Sequence, residues 1–152
     1  MCKNYSRKLE TKYTHSLYIA EFWNTISNLP FIIIGILRLI ELEPNYFELE
    51  YLYTFMVLAG FASGFHHAMH EKWTILIDWI PILISIYLFI HYDLLQFVSY
   101  ASLFQFGLAM FVLLTDHIYT TIPVPWGHVM WHILACFSID SIYQSVRRYN
   151  EF

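Results

Sequence analysis

The sequence predicts an all-α, polytopic membrane helix bundle of about five transmembrane helices, and three observations carry that prediction. Hydrophobic residues make up 58% of the 152 residues and aromatics 20%, but charged residues only 13%. Soluble domains run nearer 45–50% apolar and about 25% charged, so this chain has too few charges to coat a water-soluble globule. The apolar residues are also blocked into long runs, and five of these reach the roughly 20 residues that a helix needs to cross the hydrocarbon layer.

The runs fall in order along the chain. The first covers Phe22–Leu42, with Arg38 and Glu41 near its far end. The second is Tyr51–Met69, the third Ile75–His91, the fourth Leu94–Leu114 and the fifth Ile122–Tyr143. Short polar connections separate them at Glu43–Glu50, His70–Thr74, Tyr92–Asp93 and Thr115–Thr121. Residues 1–17 read as a polar N-terminal tail, 18–146 as one transmembrane domain and 147–152 as a short C-terminal tail. Pro30 and Pro81 fall inside or near the starts of helices, where neighbouring helices can satisfy the freed carbonyls. Pro123 and Pro125 mark the entry to the fifth, whose regular turns are expected from near Pro125.

Other classes are excluded by composition. The net charge is −4 and basic residues form no stripe, so no nucleic-acid partner is expected. Cys2 and Cys136 are the two cysteines, one at the N-terminus and one in an apolar run, which makes no disulfide framework. Lys3, Arg7, Lys8, Glu10 and Lys12 interrupt the first twenty residues, so a cleavable signal peptide is not expected and insertion falls to the first span.

Following the spans back and forth gathers the chemistry on one side. With the N-terminal tail on face A, the His66–Lys72 region, Asp78 and His128 all come to face A. The five tryptophans, Trp23, Trp73, Trp79, Trp126 and Trp131, fall near the same ends. Tryptophan favours both membrane interfaces, so clustering at one of them points to a built site there. Face A carries five Lys or Arg (Lys3, Arg7, Lys8, Lys12, Lys72) against three on face B (Arg38, Arg147, Arg148), which leans towards a cytoplasmic face A.

His128 and His132 stand four apart, on one helix face and one turn from each other. His67 ends the second span at the same side. A hydrolytic zinc takes three protein ligands and keeps one position open for water, and this trio supplies that number. Asp78 is an acid within a spanning segment, which is a functional candidate by default and a general base if a nucleophilic water lies beside it. Ser63, four residues before His67, shares its face and offers a hydroxyl to a developing oxyanion. Each residue also has a plainer reading. His66 and His70 make a second H-x-x-x-H pair, membrane histidines hydrogen-bond between helices without metal, Asp78 can cap a helix and Ser63 can simply pack. Convergence of three helices on one face is what raises the metal reading above them.

These residues carry a family resemblance. The stretch Tyr18-Ile19-Ala20-Glu21-Phe22-Trp23-Asn24-Thr25-Ile26-Ser27-Asn28 resembles the N-terminal signature of the alkaline ceramidases. Ser63-Gly64-Phe65-His66-His67 followed by Asp78-Trp79-Ile80-Pro81 is similar to their second motif, and His128-Val129-Met130-Trp131-His132 to their terminal H-x-x-x-H helix. In that family a serine precedes a zinc histidine by four residues and an aspartate lies eleven beyond it; Ser63, His67 and Asp78 keep both spacings. The resemblance selects His67 over His66. It implies zinc held by His67, His128 and His132, Asp78 as general base and then acid, and Ser63 assisting the oxyanion or the metal-bound water. The implied reaction is hydrolysis of the ceramide amide, giving a sphingoid base and a fatty acid. The implied setting is an endoplasmic reticulum or Golgi membrane with a lumenal N-terminus, which we adopt over the charge count.

The chain departs from the family in two places. The family has seven spanning helices and this sequence offers five, with a pair missing between Asp78 and His128. Losing a pair keeps the last helix in its orientation, while the acyl-chain tunnel becomes shorter, open to membrane lipids or completed by a second copy in a homo-oligomer. The family's calcium ligands also lie near a Cys-Glu-x-Asn-Tyr stretch; here Cys2-Lys3-Asn4-Tyr5 puts lysine where an acid is needed. Zn2+ is therefore the expected cofactor, and Glu21 and Asn4 stand as remnants of an incomplete Ca2+ set. Two alternatives accompany the hydrolase. One is a zinc-binding membrane protein of the same superfamily without catalysis. The other is a relative of the adiponectin and progestin receptors, against which the Glu21–Asn28 signature argues.

Overall fold

The computed structural model describes residues 12–13, 15–42, 47–118 and 126–150. Among them the chain is helical and without strands: α1 Phe22–Ile26, α2 Leu29–Glu41, α3 Phe47–Met69, α4 Thr74–His91, a 3-10 turn at Leu94–Phe97, α5 Tyr100–Ile118 and α6 Gly127–Asn150. The all-α prediction holds, with differences in where the helices break.

The first expected span is two helices. Pro30, near the start of α2, has no N–H to return to Ile26, so the helix cannot run through unchanged. The N–H of Asn28 donates to Thr25 O at 3.3 Å, one residue short of the regular pattern. That leaves the Asn24 carbonyl to side chains, and it accepts from Ser27 Oγ at 2.9 Å and Asn28 Nδ2 at 2.8 Å. The fourth span is also interrupted. Asp93 takes a left-handed conformation with φ 51, the 3-10 turn follows, and α5 then begins afresh. Ser99 starts it as an N-cap, its Oγ accepting the Ser102 N–H at 3.1 Å. α3 begins at Phe47, earlier than the expected Tyr51, and α6 runs on past Tyr143 to Asn150. Pro123 and Pro125 lie outside the described residues.

α2 packs on α3, α3 on α4 and α5 on α6, while α6 reaches α1, α2 and α3. The approach of α2 to α3 depends on glycine. A Cβ on Gly60 would lie 2.9 Å from Phe31 Cβ and 3.2 Å from Asn28 O, and one on Gly35 would lie 2.5 Å from Val57 Cγ2. Such small residues let membrane helices come together where no hydrophobic drive separates protein from lipid. The core is built from Phe31, Leu49, Leu52, Tyr53, Met56 and Tyr143 with their neighbours, and Tyr53 meets Tyr143 edge-on at 5.0 Å. Beside it Arg38 donates Nε and Nη2 to Asp140 Oδ1 and Oδ2, both at 3.0 Å, and Gln144 Nε2 donates to Tyr53 Oη at 3.1 Å.

Among the described residues, two stretches are long and apolar enough to cross a membrane: Phe22–Glu41, with mean hydropathy 1.4, and Thr74–His91, with 1.9. α5 contributes a shorter apolar stretch, Tyr100–Thr115. α3 and α6 are long enough, with 23 and 24 residues, but carry more polar groups.

Candidate metal centre

The site lies where α1, the end of α3, the start of α4 and the start of α6 meet. Its foundation is backbone. The last turn of α3 leaves carbonyls without helical partners. The N–H of Ala20 donates to Ala68 O at 2.9 Å and that of Glu21 to His67 O at 3.1 Å. α3 then ends at His70, which takes the left-handed conformation with φ 49 that commonly closes a helix. The segment entering α1 is thus tied to the end of α3, and Glu21 is set beside His67.

The two histidines in sequence on α3 part company. His66 turns to α4, its Nδ1 2.7 Å from Thr74 Oγ1. That hydroxyl donates to Glu71 O at 2.7 Å, so it accepts from His66. His66 also stacks on His70, with ring centres 6.0 Å apart and 17° between planes. His67 turns inward, to His128 and His132, with centre-to-centre distances of 4.9 and 5.2 Å. His128 and His132 are 4.5 Å apart. One nitrogen from each of the three falls within 4.8 Å of the others, and His67 and His132 are buried.

The trio fits a metal. His67 Nδ1 lies 2.7 Å from Glu21 Oε2 and donates to it, which leaves the Nε2 lone pair pointing inward. His128 Nε2 is 3.2 Å from that Nε2. Zinc–imidazole bonds of about 2.0–2.1 Å in a tetrahedron put two nitrogens roughly 3.3 Å apart, so the observed separation suits two ligands of one ion. A carboxylate behind a ligating imidazole is the usual arrangement for fixing its tautomer.

Asp78 stands beside the trio. The Ser63 hydroxyl and the Asp78 carboxyl interact, and His66 and His67 lie near enough for their charges to act on it. Asp78 Oδ1 is buried without a hydrogen-bond partner in the protein. A buried acceptor without a donor is costly unless something that carries a proton comes to it.

Glu21 is only 1% exposed, and both its oxygens face imidazoles: Oε2 meets His67 and Oε1 lies 3.0 Å from His70 Nδ1. Burial by itself raises its pKa, but the hydrogen bond and charge of His67, the charge of His70 and the hydrogen bond from Asn24 outweigh burial and hold it below the ordinary carboxylate value. Glu21, which the sequence suggested as a calcium remnant, thus meets two imidazoles; Asn4 lies outside the described residues. An aromatic cluster borders the site, with Trp23 5.2 Å from Trp126 and 5.7 Å from His15.

Sequence reasoning assigned no role to Ser27, Asn28 or His70. The available signal was the density of polar side chains, Glu21, Asn24, Thr25, Ser27 and Asn28, at the entrance of an apolar span.

Known proteins resemble the chain along most of its length. It is 27% identical to alkaline ceramidase 3 of Mus musculus over 135 residues, which is 86% of this chain and 51% of the mouse protein. The chain thus spans about half the length of the curated relative it matches. No solved structure matches it. The Ceramidase family model covers residues 9–149, a stretch that takes in α1 to α5 and all but the last residue of α6, and the chain belongs to that family.

Proposed function

We propose that this protein is a zinc-dependent intramembrane amidohydrolase that cleaves ceramide, or a related lipid amide, to a sphingoid base and a fatty acid. The observation that carries the reading is the meeting of His67, His128 and His132 beside an acid, Asp78, whose buried Oδ1 has no protein partner. Family membership supports the substrate class.

His67, His128 and His132 would hold zinc. When bound, the ion supplies Lewis acidity and lowers the pKa of a water to about 7. Asp78 takes the proton of the attacking water and delivers it to the leaving nitrogen as the amide bond breaks. Ser63 donates its hydroxyl to the oxygen on which negative charge develops. Glu21 keeps His67 in the tautomer that points Nε2 inward. The amide needs to reach only one end of the bundle, so the hydrocarbon chains can stay in lipid. The multi-pass membrane reading is supported by the two apolar stretches and by the outward apolar face of α4, where Leu76, Ile80, Leu83, Ile86 and Ile90 are exposed.

The test is release of free sphingoid base from a mixed ceramide panel by the detergent-purified full chain, with His132→Ala alongside and zinc content measured on both. Wild type should release base and carry near one zinc per chain. His132→Ala should lose at least about 100-fold in rate, the scale on which one essential catalytic group acts. Stoichiometric zinc with no release by the wild type would leave a metal-binding member of the family without this reaction.

A further inference from the structure

His67 has a carboxylate behind it; His132 is backed by a hydroxyl. His132 Nδ1 lies 2.6 Å from Ser27 Oγ, across a sequence separation of 105 residues. Both are buried, Ser27 at 5% exposure and His132 at 4%. Proton counting fixes the direction of this bond. Ser27 has one hydroxyl hydrogen, and it goes to Asn24 O at 2.9 Å. Ser27 Oγ can then only accept from His132, so Nδ1 carries the imidazole proton and Nε2 is left with its lone pair; the Asn24 backbone is a further hydrogen-bond partner of the ring. Asn28 does not compete for that role: its amide donates to Asn24 O at 2.8 Å and is 3.4 Å from His132 Nδ1.

The hydroxyl is aimed by the break between α1 and α2. A regular helix would spend the Asn24 carbonyl on the Asn28 N–H. Here that N–H goes to Thr25 O instead, and the carbonyl is open to Ser27. One short segment thus reaches two histidines from behind: Glu21 holds His67 and Ser27 holds His132.

We propose that Ser27 is a positioning residue of the metal centre, which accepts the Nδ1 proton of His132 and so presents Nε2 of that imidazole to the ion. The proposal rests on the zinc reading above and adds a residue that acts on the metal only through His132. Partners behind metal-bound histidines typically change metal affinity by about 10- to 100-fold when removed.

The experiment is zinc affinity by chelator competition, with the Co2+ visible spectrum as a second readout, on the purified full chain as wild type, Ser27→Ala, Ser27→Thr and His132→Ala. Ser27→Ala should weaken zinc by about 10- to 100-fold and alter the Co2+ bands, while Ser27→Thr, which keeps the hydroxyl, restores most of the affinity. Wild-type affinity and spectrum in Ser27→Ala would overturn the proposal and leave the zinc site standing. No specific binding even by the wild type would overturn the zinc reading and the proposal with it. Should Ser27→Ala not fold, 15N NMR of histidine-labelled, zinc-loaded wild type decides: a protonated Nδ1 on His132 supports the role, and a metal-bound Nδ1 overturns it.

Discussion

On α3, His66 and His67 are neighbours in sequence and opposites in partner: one turns to Thr74, the other to His128 and His132. Spacing within a helix left that choice open, because His66–His70 repeats the H-x-x-x-H pattern, and the family motif selected His67. Ser27 illustrates the reverse. Its importance comes from an atom 105 residues away, so no local pattern announces it. Asp78 was legible as an acid in an apolar run, and its place inside α4, beyond the Trp73 cap, is not that of a capping residue. Asp78→Asn keeps the shape of the side chain and leaves the three histidines untouched. Sphingoid-base release is expected to fall by about 10²- to 10⁴-fold with zinc content unchanged. Loss of zinc in equal measure would instead make Asp78 a structural support of the centre.

Between elements, hydropathy saw the apolar stretches well and their interruptions poorly. A sliding window averages over Asn28 and Ser99, yet a helix start follows each of them. The signs were chemical: Pro30 without its N–H, and Ser99 with Ser102 at N-cap spacing. The break at Ser27 and Asn28 leads α2 to its close approach to α3, and Gly60 is one of the two glycines at which they meet. Gly60→Ala would push a methyl group against Phe31 Cβ and the Asn28 carbonyl. We expect a loss of roughly 1–3 kcal/mol, the usual cost of overpacking, read as a lower melting temperature in detergent. Zinc affinity should fall too, because the displaced Asn28 adjoins Ser27; an unchanged melting temperature would mean that α2 moves away freely.

Across the described residues, polar groups form several clusters: a serine group between α5 and α6, and two others. The histidines and Asp78 occupy one, and Arg38, Asp140, Tyr53 and Gln144 the other. Asp140 lies eight residues beyond His132 on α6, about 12 Å along the helix axis. The second group joins α2, α3 and α6 and leaves the three histidines alone. Asp140→Asn should therefore lower stability by roughly 1.5–3 kcal/mol, the worth of hydrogen bonds to a charged group, while zinc affinity stays at its wild-type value. A fall in zinc affinity of similar size would show that the two polar groups are mechanically linked.

The same arginine bears on how the chain is made. Arg38, in the last turn of α2, is synthesised about a hundred residues before Asp140, and an arginine entering a bilayer is costly until it is paired or reaches the interface. Its Nη1 is also 2.9 Å from Glu41, three residues on in the same helix. That local partner emerges from the ribosome within moments of Arg38, so α2 can enter the bilayer with its charge already escorted, keep Glu41 and add Asp140 when α6 arrives.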